Sequence, residues 1–258
     1  MSLAEVNGQR IAYTDHGGSG PAIIFSHGFL MDASMFDAQV AALGGDYRCI
    51  TWDQRGHGGT EATGPFTYWD SAEDALSLLT YLGIDQAVFA GMSQGGFIAL
   101  RAALVAPERV RALVLIDSQA GLEDPNAVPL YEAMHAEWVA NGPAGVQEAV
   151  AAIILGPGVD VDPWYDKWNA LDRAALSLPF RTLMDRDDLT DRLAEIAQAT
   201  LVLHGTDDAA ISMGGAEQLC DGLAGCSGVV AVPHAGHAAN VSQPEVVNAA
   251  IADFLATI

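Results

Sequence analysis

The sequence predicts an α/β fold: a mostly parallel, doubly wound sheet with an antiparallel N-terminal hairpin and a helical cap insertion. Three observations predict it. Six short apolar runs bounded by turn residues recur along the chain, as strands buried on both faces require. Helix-like stretches lie between most of them, and alternation of strand and helix gives a parallel sheet with helices on both faces. The 258 residues, half of them hydrophobic, are enough for one large core.

The elements follow in order. The opening segment AEVNGQRIAYTDHG places Asn7-Gly8 between alternating residues, which is a hairpin signal. The six strand runs are residues 22–27, 47–52, 87–91, 110–117, 200–205 and 228–233. Helices are predicted over residues 35–43, 69–82, 94–105, 214–223 and 244–255. From residue 118 to 199 no strand run occurs, and helical patterns such as VPLYEAMHAEWVANG are punctuated by prolines. We therefore read 1–117 and 200–258 as the core domain and 118–199 as a helical cap inserted after the sixth strand. Such a cap would lie over the carboxyl edge of the sheet, where open α/β sheets bind ligands. It holds Trp138, Trp164 and Trp168. These read first as packing residues, and with Leu30 they are the candidate substrate contacts.

Charge excludes several partners. The net charge of −22, with Lys167 the one lysine, repels phosphate backbones and anionic lipid heads. No nucleic-acid or membrane partner is expected. No run of about 18 apolar residues is present, so no transmembrane helix is expected. The N-terminus lacks the pattern of a signal peptide, so the expected location is cytoplasmic. Cys49, Cys220 and Cys226 form no ligand or disulfide pattern; Cys220 and Cys226 could pair, but ordinary thiols are the expectation. No cluster of His, Cys and carboxylates suggests a metal site, and no cofactor is expected. The sequence does not indicate an oligomeric state.

One stretch carries chemistry. Gly91-Met92-Ser93-Gln94-Gly95 fits G-x-S-x-G between a buried-strand run and a helix-like stretch. In that context the serine sits on a sharp turn that exposes its hydroxyl above the sheet. Side chains at the flanking glycines would collide with the neighbouring strand and helix. The turn also aims the Gln94 amide from a helix N-terminus, where negative charge is favoured. A serine hydroxyl needs a base to become a nucleophile. His237, in VPHAGHAAN, lies between the last strand run and the terminal helix. A carboxylate is then needed after the preceding strand, and LVLHGTDDAAIS supplies both Asp207 and Asp208.

The segments FSHGFLMDASMF, DQRGHGGT, GMSQGG, LVLHGTDD and HAGHAAN, in this order, resemble the α/β-hydrolase fold family over nearly the whole chain. Within it the chain is most similar to small bacterial serine esterases and lactonases, including the aryl-esterase and cofactor-free haloperoxidase group and the enol-lactone hydrolases. The resemblance implies Ser93 as nucleophile, His237 as base and Asp208 as acid. Asp117, at the end of its strand, is an outside candidate for the acid. It implies the amides of Gln94 and Phe29 as the oxyanion hole. His27, Asp53, Arg55 and His57 are expected to brace loops. The implied activity is hydrolysis of small neutral esters or lactones without a cofactor. C–C bond hydrolysis, perhydrolase chemistry and non-catalytic ligand binding are the alternatives. The lack of the long glycine-rich oxyanion segment of C–C hydrolases, and Leu30 where perhydrolase relatives often place proline, weigh against the first two.

Overall fold

A computed structural model describes all 258 residues. Asn7 and Gly8, both at positive φ (48° and 70°), turn the chain between β1 (Ser2–Val6) and β2 (Gln9–Asp15). Paired positive φ angles make the tight turn whose twist suits a two-stranded antiparallel ribbon. Next come β3 (Ala22–Ser26), α1 (Asp37–Leu43), β4 (Arg48–Trp52), α2 (Tyr68–Tyr81), β5 (Ala87–Met92), α3 (Gln94–Val105) and β6 (Val110–Ile116). Four helices follow without a strand: α4 (Val128–Asn141), α5 (Gln147–Ile154), α6 (Asp162–Ala170) and α7 (Ser177–Met184). The chain closes with β7 (Thr200–Gly205), α8 (Met213–Gly222), β8 (Cys226–Val232), α9 (Ala239–Ser242) and α10 (Pro244–Leu255).

The eight strands form one sheet in the order β1-β2-β4-β3-β5-β6-β7-β8. Only the β1–β2 and β2–β4 pairs are antiparallel. Strand period sorts the side chains between two cores. Ile24, Phe89 and Leu113 pack with α2, α3 and α8 on one face, whereas Ile23, Phe25 and Val114 pack with α1 and α10 on the other. Burial on both faces is why β3 to β7 read as unbroken apolar runs. β8 corrects that expectation, for as the edge strand it is mostly exposed despite its apolar run.

The winding also sets where a site can form. From β3 the chain steps to β4, then returns across β3 to β5 and continues the other way. The loops leaving the carboxyl ends of β3 and β5 therefore diverge and leave a crevice between them. Ser26 of β3 pairs with Gly91 of β5, so the segments 27–30 and 92–94 emerge side by side.

The structure corrects one expectation. Cys220 and Cys226 are joined in a disulfide, with Cα atoms 5.3 Å apart, and only Cys49 is free. A six-residue spacing carries no sequence signal, but the chain turns straight from the last turn of α8 into β8 and brings the two together. Disulfides persist in oxidising surroundings, so this bond does not favour the cytoplasmic expectation. No helix is long and apolar enough to cross a membrane. Closing so short a loop stabilises by about 2 kcal/mol on the chain-entropy scale. Thiol titration of the unfolded, unreduced protein should count one thiol, and a count of three would remove the bond.

Candidate active site

Ser93 lies between β5 and α3 at φ 51° and ψ −116°, a strained backbone for a residue with a side chain. The flanking glycines make the turn possible. A Cβ on Gly91 would strike the Gly95 backbone, and one on Gly95 would strike the Ser26 carbonyl of β3. The turn is tied down by bonds to backbone atoms. Ser93 N donates to Ile116 O (2.9 Å), and Ser118 Oγ donates to Ser93 O (2.9 Å).

The second and third groups come from the ends of β7 and β8. His237 Nδ1 donates to Asp208 Oδ2 at 2.8 Å, and both side chains are buried. Asp208 Oδ1 accepts from the amides of Ala210 (2.8 Å) and Ile211 (3.0 Å). Burial opposes the Asp208 charge, but His237 and the Ile211 amide outweigh it and hold the carboxyl below its ordinary pKa. Burial likewise opposes charge on His237, but Asp208 wins and raises the imidazole above 6.5. Asp207 is exposed and accepts only from the Thr206 hydroxyl at 3.3 Å.

Asp117 sits beside this pair without joining it. Its oxygens accept from the amides of Gly205 (2.7 Å) and Ala239 (2.8 Å), which lie three residues before Asp208 and two after His237. Full burial and the nearby Asp208 charge push its pKa up to about 8. Asp117 thus clamps the two segments that carry Asp208 and His237. Donor atoms of Asp117, His204 and Asp208 come within 4.8 Å of one another, the one grouping that could hold a metal ion. Most of those atoms are already engaged: His204 Nε2 meets Ile211 O at 3.0 Å, and the carboxylates hold amides.

A polar relay joins the segment after β3 to the start of α3. Tyr68 Oη donates to Gln94 Oε1 (3.0 Å), and Gln94 Nε2 donates to Gln54 Oε1 (2.8 Å). Gln54 N donates to His27 Nε2 (3.0 Å), which leaves His27 Nδ1 to donate to Gly28 O (2.8 Å). Burial lowers the His27 pKa to about 4, so the ring stays neutral and serves as a brace. The amides of Phe29 and Gln94 donate to no other backbone group. Asp53 accepts from Ala33 N and Gly59 N, each at 2.8 Å, and Arg55 forks onto Asp74 at 2.6 and 2.8 Å. His57 Nδ1 meets Arg55 O at 3.1 Å. All of these shape loops.

Ser93 and His237 open into one pocket lined by 18 residues, 14 of them hydrophobic. Phe29 and Leu30 supply one side, and α4, α5 and α7 much of the rest. The tryptophans divide. Trp138 is in the wall, whereas Trp164 and Trp168 are not among the lining residues. Trp168 is a buried prop whose Nε1 donates to Leu30 O at 2.7 Å, and Trp164 packs under Lys167 Nζ, 4.3 Å from its ring centroid. Sequence reasoning missed Glu123, Tyr131, His135 and Phe180 in the lining. The helical pattern of this segment marked no inward face, and α4 buries only Trp138.

The sheet, the strained serine turn and the histidine loop after the last strand define a hydrolase-fold protein. The family model of the alpha/beta hydrolase fold matches residues 21–244, and the chain belongs to that family. Its relatives carry the names of lactonases, esterases and carbamate hydrolases, and also of non-heme bromoperoxidases. It is 28% identical over 244 residues to 3-oxoadipate enol-lactonase 1 of Acinetobacter baylyi, covering 88% of this chain and 85% of that one. A thermophilic esterase from Thermogutta terrifontis superposes with a TM-score of 0.90 at 26% identity, covering 100% and 99% of the two chains. The enol-lactonase of Burkholderia xenovorans LB400 superposes with a TM-score of 0.88 at 26% identity, covering 99% and 100%.

Proposed function

We propose that the protein is a carboxylic ester hydrolase, an esterase or lactonase acting on small neutral substrates through Ser93, His237 and Asp208. The observation that carries this reading is the 2.8 Å bond from His237 Nδ1 to Asp208, with the His237 ring and Ser93 in one pocket. With Nδ1 protonated and held, Nε2 is the basic nitrogen. In this reading Ser93 Oγ attacks the ester carbonyl carbon as His237 takes its proton. Asp208 holds the tautomer and stabilises the imidazolium. The Phe29 and Gln94 amides donate to the oxyanion of the tetrahedral intermediate. His237 then protonates the leaving alcohol, and water cleaves the acyl-enzyme by the same steps. The helical segment between β6 and β7 serves as the cap, because it supplies more than half of the residues that line the pocket shared with Ser93.

A capped apolar pocket favours short or compact acyl groups. Across p-nitrophenyl esters from acetate to palmitate, assayed beside neutral lactones, kcat/KM should peak at short acyl chains or on a lactone. A serine-directed organophosphate should abolish the turnover. A preference for palmitate would overturn the cap, and turnover that survives the organophosphate would overturn the nucleophile.

A further inference from the structure

Glu123 is the one carboxylate lining the pocket, and no Lys or Arg side chain lines it. Its partner is Arg186, whose Nη1 donates to Glu123 Oε1 at 2.8 Å. Arg186 stands behind the wall. Its Nη1 also meets Leu183 O (2.9 Å), its Nη2 meets Gly121 O (2.8 Å), and its guanidinium carbon lies 4.5 Å from the Phe97 ring centroid. Glu123 Oε2 accepts from no protein donor. The pair therefore presents its negative end to the pocket and keeps its positive end in the protein. The charge lines the same pocket as Ser93 and His237, and it acts to raise the pKa of His237.

We propose that Glu123 is a specificity-determining residue that makes this pocket select uncharged and cationic esters and reject carboxylate-bearing ones. The inference rests on ester hydrolysis at Ser93. A substrate carboxylate entering here would lose water to an apolar wall and meet a like charge with no free cation beside it. It could reach Arg186 only by displacing Glu123. A quaternary ammonium would meet the unshared Oε2. Like charges in such a setting are strongly disfavoured, and opposite charges are favoured. This is a local source of charge selection, distinct from the acidity of the whole surface. Residues 118–199 hold 14 Asp and Glu against five Lys and Arg, and those charges are mostly solvated.

The test uses three p-nitrophenyl esters of one chain length: hexanoate, the monoester of adipate, and 6-(trimethylammonio)hexanoate. In the wild type, kcat/KM for the adipate monoester should fall about tenfold or more below hexanoate, with the cationic ester at or above hexanoate. In Glu123→Gln the amide oxygen can still accept from Arg186, and the adipate-to-hexanoate ratio should rise about tenfold. Glu123→Asp, which keeps the charge, should keep a low ratio. Adipate used as well as hexanoate by the wild type would overturn the inference, whatever the variants do. So would a ratio unmoved in a folded Glu123→Gln protein. Either result would leave ester hydrolysis intact. Failure to turn over any of the three esters, or turnover that survives Ser93→Ala, would instead remove the catalytic reading and this inference with it.

Discussion

Ser93→Ala should reduce ester turnover to the residual left by the oxyanion hole and binding, roughly 10³-fold over water. Without Oγ no acyl-enzyme can form, and His237 can at best activate a water that lacks the position of the hydroxyl. Folding should be nearly unchanged. The bonds that hold this turn join backbone atoms of Ser93 to Ile116 O, Ser118 Oγ, Gly96 N and Phe97 N, and alanine keeps all four. Alanine also carries the same positive-φ strain as serine. Thermal melting and steady-state kinetics on one short ester would separate the two effects. Retention of even a tenth of the wild-type rate would assign the nucleophile elsewhere.

Asp208→Asn should cost on the order of 10⁴ in kcat, and Asp207→Asn little. The asparagine Oδ1 can keep the Ala210 and Ile211 amides, so the loop should hold. Its Nδ2 would then face His237 Nδ1 and demand the wrong tautomer. The pH profile adds a second readout. Wild-type kcat/KM should rise with pH as His237 loses its proton, half-maximal above pH 6.5, because Asp208 raises that pKa. Removing the Asp208 charge removes the main cause of the rise, so the midpoint should move to lower pH in Asp208→Asn. The reverse ranking of the two variants would make Asp207 the acid. Small, equal losses would turn attention to Asp117, although both its oxygens are committed to backbone amides.

Much of this architecture was legible in the chain because its signals are local. The Asn7-Gly8 turn, the apolar runs of β3 and β5 to β7, and helix α3 follow from backbone preference and from burial on both faces. The G-x-S-x-G turn was legible for the same reason, since the two glycines answer clashes within a few residues or with the adjacent strand. The disulfide was not legible, because it depends on how tightly α8 returns into β8. Trp164 and Trp168 showed why residue type alone does not place a side chain. Both were candidates for substrate contact, and packing left them buried outside the pocket lining.

By itself, then, the sequence determined the sheet, the strained serine turn after β5 and the short set of side chains able to act with it. These rest on periodicity and turn chemistry, which operate over a few residues. The tertiary structure decided which of two adjacent carboxylates meets His237: Asp208 lies at 2.8 Å, while Asp207 points to the surface. It also made Asp117 a clamp between β7 and the histidine loop, and it turned Glu123 toward the pocket with Arg186 behind it. Each of those outcomes joins residues 29 to 122 positions apart. Such contacts are set by how strands and helices pack, and no local pattern in the chain encodes them.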